Sequence, residues 1–296
     1  MPLVDVDALA GPDAGSDRLA RRLEEGRILL FRQPPFPIAE ADREFLLARR
    51  QGGGRLHKNI AYRPARDRVT GAAGSREDVE RLHRILRDYS HSALAFLGRL
   101  FPGYARSWHV DYASFRPIEE KGRRLSHTDR NDLMHVDAFP TRPTHGGRIL
   151  RFFTNISERS RDWISGGTFD ELAERYAAGS GLLDEALRHG PSASARLLHA
   201  LGARKSLPSV YDAFMLRFHD FLKNNAEFQA REREPFSFPP GSSWIVLTDM
   251  VSHAVLAGQF ALEQTVILSR DSLVAPEMAP IAILERIAGR PLAARG

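Results

Sequence analysis

Apolar residues recur at two different periods along the chain, and the changes of period mark out its elements. Early on the spacing is helical. Asp17 to Arg27 reads as a short amphipathic helix capped by Ser16, Ile28 to Phe31 as a strand ended by Pro34 and Pro35, and Ala39 to Arg50 as a second helix. Three consecutive glycines break the pattern at Gly52 to Gly54. The polar stretch His57 to Arg66 has no clear period and reads as a loop, in which Lys58, Asn59, Tyr62 and Arg63 are candidates to line a substrate mouth. Glu77 to Phe101 follows as a long helix, with Val79, Leu82, Ile85, Leu86, Tyr89, Leu94 and Leu97 on one face. From Trp108 the period falls to two: Trp108 to Ile118, Leu133 to Phe139 and Arg148 to Ile156 read as strands. Helical spacing returns over Thr168 to Ala178, Leu182 to His189, Ser192 to Leu201 and Ser209 to Ala226, with breaks at Gly179, Gly190 and Pro208. Strands close the pattern at Phe236 to Phe238, Ser243 to Leu247 and Ala254 to Leu268, before a last helix from Ile281 to Gly289.

This order predicts a mainly β, α+β chain: a double-stranded β-helix (a jelly roll, cupin-like) with helices at the N-terminus and a helical insert at 157–230 in a single domain of 1–296. In that architecture two sheets face each other, and residues far apart in sequence converge at the open mouth.

Composition narrows the chemistry. Hydrophobic residues make up 43% and charged residues 27%, as in an ordinary globular protein. No apolar run approaches the ~18 residues of a membrane span, and the N-terminus lacks a basic segment followed by an apolar one, so a cytoplasmic location is expected. With no cysteine, thiolate sites and iron–sulfur clusters are excluded, and a metal must be held by His, Asp or Glu. The net charge of +5 is carried almost wholly by arginine, which reflects either a base-composition bias or a preference for carboxylate and phosphate groups.

HxD occurs at His109/Asp111, His127/Asp129 and His135/Asp137. Residues two apart on a strand share a face, so such a pair can present an imidazole and a carboxylate to one metal. The second pair lies in the polar run RRLSHTDRND. The first lies in a plausible strand in which His109 and Asp111 also read as ordinary polar residues. The third lies in a strand-like stretch that leads through a Pro/Gly loop to Arg148, as a hairpin would. A distant histidine would complete the two-His, one-carboxylate set that leaves iron(II) with open positions. His253, after an apolar strand and a turn containing Asp249, is the candidate, whereas His189, His199 and His219 read as packing or surface residues of the helical block.

The segments HVDAFPTRPTHGGRILRFFTNI and SHAVLAGQFALEQT closely resemble the bacterial Kdo 3-hydroxylases, and HKNIAYRP and SFRPIEE extend the likeness more loosely. These are iron(II)- and 2-oxoglutarate-dependent oxygenases acting on 3-deoxy-D-manno-octulosonic acid (Kdo), the sugar joining lipid A to the lipopolysaccharide core. The resemblance implies Fe(II) on His135, Asp137 and His253, with 2-oxoglutarate and O2 as co-substrates. Kdo-lipid A or a related precursor would be the substrate at the cytoplasmic face of the inner membrane, with no nucleic-acid partner expected; the basic balance without a spanning segment adds an expected peripheral contact to anionic lipid. Two other readings stay open: an oxygenase of a small metabolite or protein side chain, and a non-catalytic sugar-binding jelly roll.

Many oxygenases of this kind bind the far carboxylate of 2-oxoglutarate through an arginine on the strand after the distal histidine, where this chain has Gln264. The charge must come from elsewhere. In the expected hairpin Arg148 lies level with the metal and Arg151 ~10 Å deeper, which makes Arg151 the expected anchor, with Gln264 as a neutral neighbour. Lys58, Asn59, Tyr62 and Arg116 are the candidate contacts to the sugar.

Overall fold

Two sheets face each other across an apolar layer, and helices cover the outer side of the larger one. In the computed structural model the described residues are 3–11, 15–49, 59–122, 125–177, 179–189, 197, 199, 201, 207–233 and 235–292. The strands are β1 (Leu3–Asp5), β2 (Ile28–Phe31), β3 (Ile60–Arg63), β4 (Arg68–Thr70), β5 (His109–Arg116), β6 (Arg148–Asn155), β7 (Arg161–Thr168), β8 (Phe236–Phe238), β9 (Ser243–Leu247), β10 (Val251–Ala257) and β11 (Ala261–Leu268). The larger sheet has the order β1-β2-β9-β6-β11-β5-β3-β4 and the smaller β10-β7-β8. Every pairing is antiparallel except β1 with β2.

The helices are α1 (Ser16–Glu24), α2 (Glu40–Leu47), α3 (Arg76–Leu100), α4 (Pro102–Ala105), α5 (Phe169–Leu172), α6 (Leu182–His189), α7 (Val210–Asn224), α8 (Ala226–Ala230) and α9 (Pro280–Ala288). Capping sets the starts of the two longest. Ser75 accepts from Asp78 N–H at the head of α3, and Ser209 accepts from Asp212 N–H at the head of α7, each completed by the aspartate reaching back. α1 begins after Gly15 without a side-chain cap, so Ser16 is its first residue rather than its cap.

Alternation along the central strands separates two apolar layers. Ile28, Leu30, Phe153, Trp244 and Val246 meet Trp163, Phe236, Phe238, Val251 and Val255 between the sheets. Their neighbours Leu29, Phe31, Leu150, Phe152, Ile245 and Leu247 point the other way, into a layer shared with α1 and α3. Both faces of β2, β6 and β9 are covered, which is why ILLF and SWIVL read as unbroken apolar runs.

Three local expectations change. The interval 157–230, expected as helical, opens with β7 and becomes helical only at Phe169, continuing from α5 into a π-helical turn at Ala173–Ala177. The polar stretch read as a loop contains β3, whose Ile60 and Tyr62 are buried against β5 and α3. The segment carrying His135 and Asp137 forms no hairpin with β6: it bridges β10 in the smaller sheet, while β6 lies in the larger. The loop between them, with Pro140 and Pro143 and with His145 and Gly146 at positive φ, carries the chain from one sheet to the other. The expected helix from Ser192 to Leu201 lies mostly outside the described residues.

Candidate metal centre

His135 and His253 are neighbours across a short antiparallel bridge. His135 N–H donates to His253 O at 3.1 Å, and His253 N–H donates to His135 O at 2.9 Å. Asp137, two residues on, donates its N–H to Thr248 O at 2.8 Å, in the turn between β9 and β10. Three ligand atoms, one each from His135, Asp137 and His253, lie within 4.8 Å of one another. Each imidazole donates Nδ1–H to the carbonyl two residues earlier, His135 to Leu133 O at 2.7 Å and His253 to Val251 O at 2.9 Å. A carbonyl only accepts, so both rings are fixed as Nδ1–H tautomers with the Nε2 lone pair free for a metal. Trp163 stacks on His253, with ring centroids 5.0 Å apart and planes 16° from parallel, and so limits rotation of that ring.

The electrostatics favour neutral imidazoles and an ionised carboxylate. Burial, aided by the neighbouring histidines, pushes His135 down to about 3 against the pull of Asp137, and burial lowers His253 as well. Burial alone would raise the Asp137 carboxyl. The Arg151 guanidinium, 2.9 Å from Oδ2, and the two imidazoles hold it well below the usual carboxylate range.

Beside the triad is a cavity of about 140 Å³. Asn59, Arg116, Asn131, Arg151, Phe153, Arg161, Trp163 and Val255 line it together with the triad. Three guanidiniums therefore face one small space. Arg151 also reaches Glu263 at 2.9 Å, and Arg116 Nε donates to Glu263 at 2.7 Å. Arg161 is held by Gly258 O at 3.0 Å and lies 3.5 Å from Glu120. Gly258 has φ +128, and a Cβ there would come within 2.6 Å of the Arg161 side chain, so glycine is what lets the two approach. Burial lowers Arg161 to about 10 despite Glu120, with Arg116 adding to the fall. The Nε–H groups of Arg151 and Arg161 are buried without an acceptor. The donor set thus fits a divalent metal, and the orphaned donors fit an anion next to it.

The family model for 3-deoxy-D-manno-oct-2-ulosonic acid (Kdo) hydroxylase matches residues 9–291. The chain belongs to the Kdo hydroxylase family. A crystal structure of the Kdo hydroxylase KdoO, described as a non-haem Fe(II) alphaketoglutarate-dependent dioxygenase in complex with alphaketoglutarate and Fe(III), shares 35% identity with this family member. That match has a TM-score of 0.82 and covers 99% of this chain and 98% of the other. Structures of KdoO with cobalt(II), and with succinate and Fe(III), match at 34% identity and TM-score 0.82, covering 100% of this chain and 99% of theirs. Among curated proteins none matches.

In this Kdo hydroxylase chain, the residues singled out from sequence divide sharply. His135, Asp137 and His253 come together, and Asn59, Arg116 and Arg151 join them in the cavity. Tyr62 does not: it is buried against α3 and bonds Asp67 at 3.0 Å. Lys58 lies outside the described residues. Gln264 points to the helix side of β11, bonded to Ser90, Asp111 O and Thr265 O, while the adjacent Glu263 pairs with the cavity-lining Arg116 and Arg151. Arg148 also faces away, and its Nε–H donates to Asp249 Oδ2 at 2.8 Å. The expected depth order on β6 is therefore wrong. Arg151 is level with the metal ligands, and what separates it from Arg148 is the face of the strand.

Of the other HxD pairs, His109 is exposed and Asp111 pairs with Arg142, while His127 Nε2 donates to Lys223 O at 2.9 Å. Sequence reasoning missed Arg161, Trp163, Glu120, Asn131 and Glu263. The alternation of Arg161, Trp163 and Ser165 was a period-two signal for β7, and Glu263 is a lone acid inside an apolar strand.

Proposed function

We propose that the chain is an iron(II)- and 2-oxoglutarate-dependent dioxygenase that hydroxylates C3 of the Kdo sugar on Kdo-lipid A or a related lipopolysaccharide precursor. The observation that carries this reading is the convergence of the His135, Asp137 and His253 donors with three guanidiniums on one cavity, in a chain of the Kdo hydroxylase family. Iron(II) with 2-oxoglutarate and O2 supplies the oxidising chemistry, and succinate is the co-product. His135 and His253 offer neutral nitrogen donors, and Asp137 offers one oxygen while its other stays beside Arg151. Arg151, Arg116 and Arg161, which line the cavity, receive the far carboxylate of 2-oxoglutarate. Trp163, Phe153 and Val255 exclude water from the inner wall, and Asn59 and Asn131 leave polar groups for the sugar.

The test is incubation of iron-loaded protein with Kdo-lipid A, 2-oxoglutarate and O2, followed by mass spectrometry of lipid and co-product. Gain of one oxygen on the Kdo moiety with matching succinate is expected. Product only with free amino acids or other small acceptors would overturn the substrate, and failure to bind iron after anaerobic reconstitution would overturn the enzyme.

Peripheral attachment to the anionic face of the inner membrane belongs to the same proposal. The net charge is +5, and no helix of the described residues is long and apolar enough to cross a membrane. Leu197 and Leu201 are 60% and 70% exposed and are joined by a helical N–H to O bond of 2.9 Å, which puts both on one side of a turn. A basic surface gains ~1 kcal/mol per Lys or Arg near anionic lipid, an attraction that salt screens. Flotation with anionic vesicles should weaken as salt rises; binding indifferent to salt would assign the attachment to the apolar residues instead.

A further inference from the structure

Met134 to Val136 run beside β10 at the edge of the smaller sheet, joined to it by the single bridge between His135 and His253. In an antiparallel pair, a residue that points both its N–H and C=O at its neighbour is flanked by residues that point theirs away. His135 faces β10, so Met134 and Val136 turn their polar groups to the opposite edge, where no strand among the described residues pairs with them. Two side chains take that place.

Gln229, on α8, accepts Met134 N–H at 3.0 Å and donates to Met134 O at 2.9 Å. One carboxamide thereby reproduces both bonds a strand residue would make, and its Nε2 also donates to Leu222 O at 2.7 Å, tying it to α7. His219, on α7, donates Nδ1–H to Val136 O at 2.8 Å, and its ring meets that of His135 with centroids 4.9 Å apart and planes at 69°.

These bonds act on the ligands through planar peptides. The Leu133–Met134 unit carries at one end the carbonyl that accepts His135 Nδ1–H and at the other the N–H held by Gln229. The Val136–Asp137 unit has its carbonyl held by His219 and its N–H held by Thr248 O. Upstream, His127 Nε2 donates to Lys223 O at 2.9 Å and Lys223 Nζ to Thr128 O at 2.8 Å, so α7 also grips the approach to this segment.

We propose that α7 and α8 clamp the metal-binding segment, with His219 and Gln229 as positioning residues for His135 and Asp137. This rests on the reading of the triad as a metal site. Neither residue is a ligand: His219 lies outside the set of donors that converge, and Gln229 spends its carboxamide on backbone.

Co(II) titration of the metal-free full-length chain, followed by cobalt absorption and by melting temperature with and without Co(II), tests it. His219→Ala and Gln229→Ala are expected to weaken Co(II) binding ~10–100-fold, to alter the cobalt spectrum and to shrink the melting increment that Co(II) confers. His219→Asn, whose amide nitrogen sits where Nδ1 does, should recover most of the affinity. Gln229→Glu, of the same shape but without the N–H donors, should not. If an alanine variant does not fold, His219→Asn against His219→Phe gives the same comparison. A lower melting temperature of the metal-free variants with unchanged Co(II) affinity and spectrum would mean a merely structural role and overturn the clamp. Failure of the unmodified chain to bind Co(II) would instead overturn the metal-site reading beneath it.

Discussion

Alanine at His135, Asp137 or His253 should abolish turnover and tight metal binding, whereas alanine at His109 or Asp111 should leave metal binding largely intact. The contrast follows from the surroundings. The first three present donor atoms within 4.8 Å of one another, each backbone pinned in the smaller sheet or by Thr248. His109 is exposed, and Asp111 is already paired with Arg142. Loss of an outer partner of a metal site costs ~10–100-fold in affinity or activity, so loss of a ligand should exceed the upper end of that range. Asp137→Ala carries a second penalty, because Arg151 then faces the cavity with Glu263 as its nearest acid. Calorimetric Co(II) titration with a parallel succinate assay measures both. Tight metal binding in His253→Ala together with its loss in Asp111→Ala would reverse the choice among the HxD pairs.

Arg148→Ala should destabilise the fold by ~3–5 kcal/mol in urea unfolding while leaving the 2-oxoglutarate requirement unchanged. Arg148 and Asp249 have side chains 0% and 1% exposed and are joined by one bond of 2.8 Å. Removing the guanidinium strands a buried carboxylate that burial already pushes upward. Replacing both members by apolar residues, as in Arg148→Met with Asp249→Leu, should restore much of the loss, because the pair costs desolvation on both sides. Arg151→Ala and Arg161→Ala should behave oppositely, raising the 2-oxoglutarate concentration needed for uncoupled succinate formation by ~10-fold or more, since an anion loses a charge-assisted donor. Gln264→Ala should leave that requirement unmoved, its side chain being spent on Ser90 and backbone carbonyls. A large rise in the requirement for Arg148→Ala with a normal one for Arg151→Ala would exchange their roles.

His135, Asp137 and His253 were legible because local pattern carries them. Two apolar segments with period two hold an HxD pair and a lone histidine, and the absence of cysteine restricts the donors to His, Asp and Glu. Glu77 to Phe101 was legible for the same kind of reason: its stripe of Leu82, Ile85, Leu86, Tyr89 and Leu97 is the buried face of α3. β7 was harder, since Gly166 and Gly167 and the polar residues before it resemble a turn, and its strand form depends on pairing with β8 and β10.

Amino-acid order by itself determined which residues can chelate a metal, which faces of the long helices and central strands turn inward, and that strands flank a helical block. Only the tertiary structure decided which side of β6 meets the cavity, that Glu263 rather than Gln264 pairs with its arginines, and that Arg161 joins Arg116 and Arg151 there. It also decided that His219 and Gln229, from helices more than eighty residues downstream, complete the edge on which His135 sits. The reason is physical. Periodicity is set by neighbours along one chain, whereas the register between strands of different sheets, and the side chains that satisfy an edge, depend on groups brought together only by burial.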